Sequence, residues 1–345
     1  MLRNIVLENC EGLKSLPDGM MLKMRNDSTD SNNLCLLEKL VIFSCPSLIC
    51  FPKGQLPTTL DQLVTYRCPS LKSLPEGIPA TLKKLYIRNC ERLESLPEGI
   101  MHQHSTNAAA LKELEISVCP SLTPFPRGKF PSTLERLHIE DCEHLESISG
   151  EMFHSTNNSL QSLILMRYPN LKTLPDCLNT LTYLRIEDFE NLELLLPQIK
   201  KLTRLTRLDI CNCKNIKTPL SQWGLSRLTS LKYLHISGMF PDATSFSDDP
   251  HSILFPTTLT SLTLSEFQNL ESLASLSLQT LTSLEKLWIR NCPKLRSILS
   301  REGLLPDTLS ELNVHRCPHL TQRYSKEEGD DWPKIAHIPC VHMYG

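Results

Sequence analysis

The sequence predicts an α/β solenoid: a horseshoe of short coils with a parallel concave β-sheet of about 13 strands and an irregular convex side. Three observations carry this. The frame L-x-x-L-x-[ILV]-x-x-C-x-x-L-x-x-[LIF] recurs along the chain. Nine cysteines, Cys10, Cys45, Cys68, Cys90, Cys119, Cys142, Cys213, Cys292 and Cys317, hold its one cysteine slot. The tetrapeptide P-x-T-L occurs five times, beginning at Pro57, Pro79, Pro131, Pro256 and Pro306.

The frame fits best at Leu37-Leu40-Ile42-Cys45-Leu48-Phe51 and Leu82-Leu85-Ile87-Cys90-Leu93-Leu96, and again at Leu111, Leu134, Leu284 and, shortened, Leu309. Tyr168, Phe189 or Phe267 takes the slot in the copies from Leu160, Leu181 and Leu259. Copies from Leu2, Leu60, Leu205 and Leu231 depart further, the last with Met239 in the slot. The slot recurs about every 26 residues between Cys10 and Cys317, the leucine-rich-repeat period.

The alternation x-L-x-I-x marks a short strand with leucine and isoleucine inward. One coil cannot bury that face alone, so coils stack. Thirteen strands about 4.8 Å apart give a sheet roughly 60 Å long. At the slot the chain leaves the strand, and side chains form a ladder between coils. Cysteine suits it as a small hydrophobe with a weak S–H donor. Larger aromatics are expected to widen the stack. Proline in P-x-T-L biases the return path to extended structure, whereas coils with LTRL or LTSL are expected to carry a helical turn. Polar insertions at 18–34, 99–110 and 150–159 read as convex loops. The expected division is a solenoid over 1–323 and a tail or cap over 324–345.

Composition narrows the function classes. Net charge is −2 with both signs interspersed, so nothing favours nucleic acid or an anionic membrane, and no 18-residue apolar run suggests a membrane span. The N-terminal stretch carries Arg3 and Glu8 where a secretory signal would be apolar. The 14 cysteines therefore read as reduced thiols of a cytoplasmic protein, and the sequons at Asn26 and Asn157 as chance. No phosphate loop, G-x-S-x-G elbow, H-E-x-x-H helix or C-x-x-C pair occurs. Cys211 and Cys213 point to different faces, and His102 and His104 lack cysteine partners. Glu327-Glu328 and Asp330-Asp331 read as a solvated loop. No catalytic residue, metal ligand or cofactor is expected, and the chain reads as no enzyme.

What remains is a binding surface. Positions 3, 5 and 7 of the frame project from the concave sheet and do not hold the core. They vary strongly: Lys84, Tyr86 and Arg88; Glu113, Glu115 and Ser117; Arg136, His138 and Glu140; Tyr183, Arg185 and Glu187; Lys286, Trp288 and Arg290. Tyrosine, tryptophan and arginine are the usual binding hot spots. The candidate partner-binding set is Phe43, Tyr66, Lys84, Tyr86, Arg88, Glu115, His138, Tyr183, Arg185, Trp288 and Arg290. The competing reading is an aromatic ring lying flat against a neighbouring arginine, filling space within the protein.

The unit C-x-x-L-x-S-L-P-[ED]-G-[IM], in CEGLKSLPDGM, CPSLKSLPEGI and CERLESLPEGI, resembles the repeats of plant intracellular nucleotide-binding leucine-rich-repeat disease-resistance proteins of the coiled-coil class. So do FPRGKFPSTLERLHIEDCEHLESISGEMFHSTNNSL and the tail DWPKIAHIPCVHMYG. The resemblance covers essentially the whole chain. It implies recognition of a pathogen effector or a guarded host protein, and restraint of the parent receptor's nucleotide-binding domain, with ADP-for-ATP exchange and cell death following recognition. The chain opens one residue before a repeat, without the coiled-coil and nucleotide-binding domains, so a fragment, a truncated gene model or the product of a degenerate gene is expected. The alternative is the substrate-binding repeat domain of an F-box type ubiquitin ligase, which also places cysteine at this slot. There an isoleucine/valine-threonine-aspartate pattern follows the cysteine, where this chain has L-P-x-G.

Overall fold

The computed structural model describes residues 3–17, 36–52, 56–75, 77–101, 110–123, 125–153, 159–171, 173–190, 192–246, 254–276, 278–299, 303–326 and 329–345. Both sequons, His102, His104, Glu327, Glu328 and most of the three polar insertions lie outside the described residues. The chain forms two compact units, Met1–Thr180 and Leu181–Gly345.

The first unit contains β1 (Asn4–Glu8), β2 (Lys39–Phe43), β3 (Gln62–Tyr66), β4 (Lys84–Arg88), β5 (Glu113–Ser117), β6 (Arg136–Glu140) and β7 (Ser162–Met166). Each pairs in parallel with the next in chain order, without offset in the frame. The second contains β8 (Tyr183–Glu187), β9 (Arg207–Cys211), β10 (Tyr233–Ser237), β11 (Ser261–Ser265), β12 (Lys286–Arg290), β13 (Glu311–His315) and β14 (Cys340–Tyr344), paired the same way. Both units are leucine-rich-repeat solenoids. The fourteenth strand exceeds the expected count because the tail, which lacks the frame's leucines, still alternates. Its Val341 and Met343 pair in register with Leu312 and Val314.

Inward residues build the core. Leu85, Ile87, Leu137, Ile139, Leu208, Ile210, Leu287 and Ile289 are buried, each contributing about 1.5–3 kcal/mol. In β1 and β14 the inward residues are only half-buried. At the ladder, cysteines from Cys45 to Cys317 are buried free thiols, as read. Each donates to the carbonyl two residues earlier: Cys142 to Glu140 at 3.2 Å, Cys292 to Arg290 at 3.3 Å. Some also reach the preceding coil, as Cys142 to Ile116 at 3.9 Å. Cys90 lies 3.7 Å from the hydroxyl of Thr65, the one polar residue on an inward strand position. Burial pushes the Cys68 and Cys213 thiols up to about 12 and Cys142 up to about 11, so they stay neutral. Tyr168, Phe189, Met239 and Phe267 fill the same slot and are equally buried. Phe267 leaves β11 in register with both neighbours.

The residue before the slot is left-handed after every strand from β1 to β13. Asn9, Asn89, Asp141, Asn212 and Asn291 tolerate this readily, and Gly238 at no steric cost. This turn aims the backbone N–H at the end of the next strand, as Asn89 to Ser117 O at 2.8 Å and Gly238 to Ser265 O at 2.9 Å.

P-x-T-L is a turn, not the extended return expected of it. Leu134 N–H donates to Pro131 O at 3.0 Å, and Leu309 to Pro306 at 2.9 Å. The threonine hydroxyl then reaches the preceding coil: Thr133 to Leu111 O at 2.9 Å, Thr258 to Leu231 O at 2.9 Å, Thr308 to Leu284 O at 2.8 Å. Proline pre-sets the first turn residue, and threonine satisfies a backbone carbonyl of the preceding coil. Helical turns precede the LTRL and LTSL coils, as read: α1 (Leu196–Ile199) and 3-10 turns at Leu225–Arg227 and Leu278–Thr280. A second helix, α2 (Pro318–Arg323), follows β13. Asp331, read as part of a solvated loop, is instead buried and paired with Arg323 and, at 2.9 Å, with Lys334.

Candidate functional site

In-register pairing sets positions 3, 5 and 7 in three rows across each unit's exposed strand face. In the first unit the middle row runs Val6, Val41, Val64, Tyr86, Glu115, His138 and Ile164. In the second it runs Arg185, Asp209, His235, Thr263, Trp288, Asn313 and His342. Every candidate from the sequence sits in these rows.

The first unit has an apolar end and a charged end. Phe43 and Tyr66 stack at 5.0 Å beside the valine row, and Arg67 lies 5.1 Å from the Tyr66 ring. On β4 to β6 the carboxylate of Glu113 is a hub. It receives Lys84 Nζ at 3.1 Å, the Tyr86 hydroxyl and the Arg136 guanidinium. Burial opposes its charge, but the hydrogen bonds from Arg136, Tyr86 and Lys84 prevail and hold the carboxyl at about 2. Burial and the bond to Glu113 push the Tyr86 phenol up. Arg88 pairs with Glu115 and lies 5.7 Å from the Tyr86 ring. His138 stands between Glu115 at 3.5 Å and Glu140 at 3.4 Å.

In the second unit Tyr183 donates to Asp209 at 2.9 Å, and Arg207 pairs with the same carboxylate at 3.0 Å while lying 5.1 Å from the Tyr183 ring. Arg185 pairs with Glu187 at 2.5 Å. Trp288 donates its indole N–H to Glu311 at 2.9 Å, and Arg290 lies 4.7 Å from the indole centre. His235 is wedged between Ser265 Oγ at 3.0 Å and Cys211 Sγ at 3.8 Å. Burial pushes its pKa down, against the attraction of Asp209.

The arginine-on-ring arrangement weighed as the competing reading is thus present at Tyr66, Tyr86, Tyr183 and Trp288. The structure brings Lys84, Tyr86, Arg88, Glu115 and His138 into one network and pairs Trp288 with Arg290. Phe43 and Tyr66 form a separate apolar patch. Sequence reasoning passed over Arg207, Asp209, Tyr233, His235 and Thr263. The copies from Leu205 and Leu231 fit the frame poorly outside the strand and that from Leu259 shows only small side chains, yet counting positions 3, 5 and 7 from each would have found them. Among the described residues no group of three or more His, Cys, Asp or Glu could hold a metal ion, and no helix is long and apolar enough to cross a membrane.

Residues 81–240 match the leucine-rich repeats of RPS2-like plant disease resistance proteins. A protein of Arabidopsis thaliana described as a disease resistance protein is 28% identical over 372 aligned positions, which take in 100% of this chain and 23% of that relative's length. Among solved structures, the leucine-rich effector YopM of Yersinia pestis is 19% identical, with 99% of this chain and 89% of that one covered and a TM-score of 0.47. The LRR protein LIC12759 of Leptospira interrogans is also 19% identical, covering 82% and 73%, with a TM-score of 0.44. The leucine-rich repeats of this chain are thus similar to those of plant disease resistance proteins.

Proposed function

We propose that the exposed strand face is the recognition surface of a plant immune receptor, taking a pathogen effector or an effector-modified host protein. In the parent receptor the same repeats restrain a nucleotide-binding domain until that partner arrives. This reading makes the chain a cytoplasmic protein-binding module that carries no catalysis of its own. One observation carries it: inward positions are almost uniformly leucine and isoleucine, while outward positions of the same strands vary in charge, size and aromaticity. Stacking demands the first set only. The outward set is rich in the tyrosine, tryptophan and arginine that dominate protein interfaces, held rigid by their mutual contacts, which lowers the entropy cost of binding.

The test replaces Tyr86, Arg88, Trp288 and Arg290 with alanine in the full receptor and scores cell death with and without pathogen challenge. Loss of the response, or a response without challenge, at normal protein accumulation supports the reading. An unchanged response in both arms contradicts it.

A further inference from the structure

Strand β11 differs from its neighbours in the second unit. Its three outward side chains are Ser261, Thr263 and Ser265, all small. On one side β10 presents Tyr233 and His235 in register with the first two, and on the other β12 presents Lys286 and Trp288. Small residues between tall ones on a sheet leave a trough about two strand spacings wide, close to 10 Å. A cavity of about 300 Å³ lies there, with Tyr233 and Trp288 among its walls and Ser261, Thr263 and His235 in its lining.

Its chemistry narrows the occupant. The charged groups of the lining balance in number, Arg207 and Lys286 against Asp209 and Glu285, and both cations are engaged within the protein: Arg207 with Asp209 at 3.0 Å, and Lys286 with Glu311 at 3.2 Å. A charged ligand would have to compete with those pairs. The Trp288 indole is pinned by its bond to Glu311 and by Arg290, so that wall is rigid before anything binds. Tyr233 is 50% exposed, among the few large apolar side chains left in water. Two aromatic walls, a floor with hydroxyls and internally cancelled charge suit a neutral ring with a polar tip. Aromatic pairs in offset or edge-on contact gain roughly 0.5–1.5 kcal/mol beyond the area they bury.

We propose that the trough over β11 is a docking pocket for a tyrosine side chain presented by the protein partner. This rests on the strand face being the recognition surface and names the partner chemistry at one point on it.

The chain, labelled with ¹⁵N at its tryptophans, is titrated with N-acetyl-tyrosinamide and separately with N-acetyl-argininamide and N-acetyl-aspartate. The readout is the indole N–H resonance of Trp288, assigned by Trp288→Phe. The expected result is a saturable shift with the tyrosine probe at about millimolar concentration. The arginine and aspartate probes should bind at least about tenfold more weakly, a gap of 1.4 kcal/mol. Thr263→Phe, which fills the trough, should abolish the shift while leaving the unfolding midpoint unchanged. Thr263→Ser, which keeps the trough open, should preserve it. No saturable shift, equal shifts from the charged probes, or a shift that survives Thr263→Phe would overturn the proposal. If Thr263→Phe does not fold, the probe selectivity and the Thr263→Ser result decide alone. The titration reads the pocket alone and the four-alanine receptor assay reads the whole face, so a failed titration leaves the broader reading standing, whereas an unchanged receptor response with a positive titration counts against that reading and not against the pocket's chemistry.

Discussion

At Val118 the repeat asks for something the residue resists. The position before the ladder slot is left-handed, and Val118 adopts it with φ of 55°. A β-branched side chain is strained there, by about 1–2 kcal/mol. Val118→Asn should therefore raise unfolding stability by about 1 kcal/mol, measured by urea denaturation. The same position in another coil gives the opposite sign. A Cβ on Gly238 would lie 2.2 Å from the side-chain oxygen of Asn212, so Gly238→Ala should cost about 1–3 kcal/mol in the same experiment. Glu113 offers a pH test. Its carboxyl is held at about 2 in the folded chain, below the value of an unfolded glutamate near 4.3. The stability it contributes is complete above the unfolded value and is lost as pH falls between the two. Glu113→Gln should flatten the stability profile across that window, and an unchanged slope would contradict the hub.

At the level of the element, strands were the most legible feature. The alternation around the paired inward residues located all but β14, because period two is imposed by the pleat. The connections were harder to read. Proline removes a donor and fixes one torsion, and that alone does not distinguish an extended return from a tight turn. Threonine decides it by reaching back to the preceding coil. Thr133→Val keeps shape and loses that bond, so it should cost about 1 kcal/mol, read as a lower urea midpoint with unchanged slope. The trough over β11 was missed for a different reason. A row of serine and threonine looks uninformative until its neighbours' heights are known, and those lie some 25 to 28 residues away in the chain.

For the whole molecule, the repeat explains the core, the thiol ladder and the turn before each slot, all consequences of stacking one coil on another. The exposed rows are not consequences of stacking. Their residue types could be read in advance; their partnerships could not, because a glutamate in one coil chooses among arginines, lysines and tyrosines of two others. Those partnerships sharpen the account, since Tyr86, Arg88 and Trp288 are held by other side chains before any partner arrives. The central claim is that the face a side chain occupies decides its task. Tyr86 and Ile87 are adjacent in β4 and point to opposite sides, so urea unfolding of two single variants compares the faces directly. Ile87→Ala should cost about 2–5 kcal/mol through lost burial and a cavity. Tyr86→Ala should cost under about 1.5 kcal/mol, since it gives up a ring contact and one exposed-face hydrogen bond. Equal losses would contradict the account: the outward rows would then be part of the structural frame rather than a surface left over for recognition.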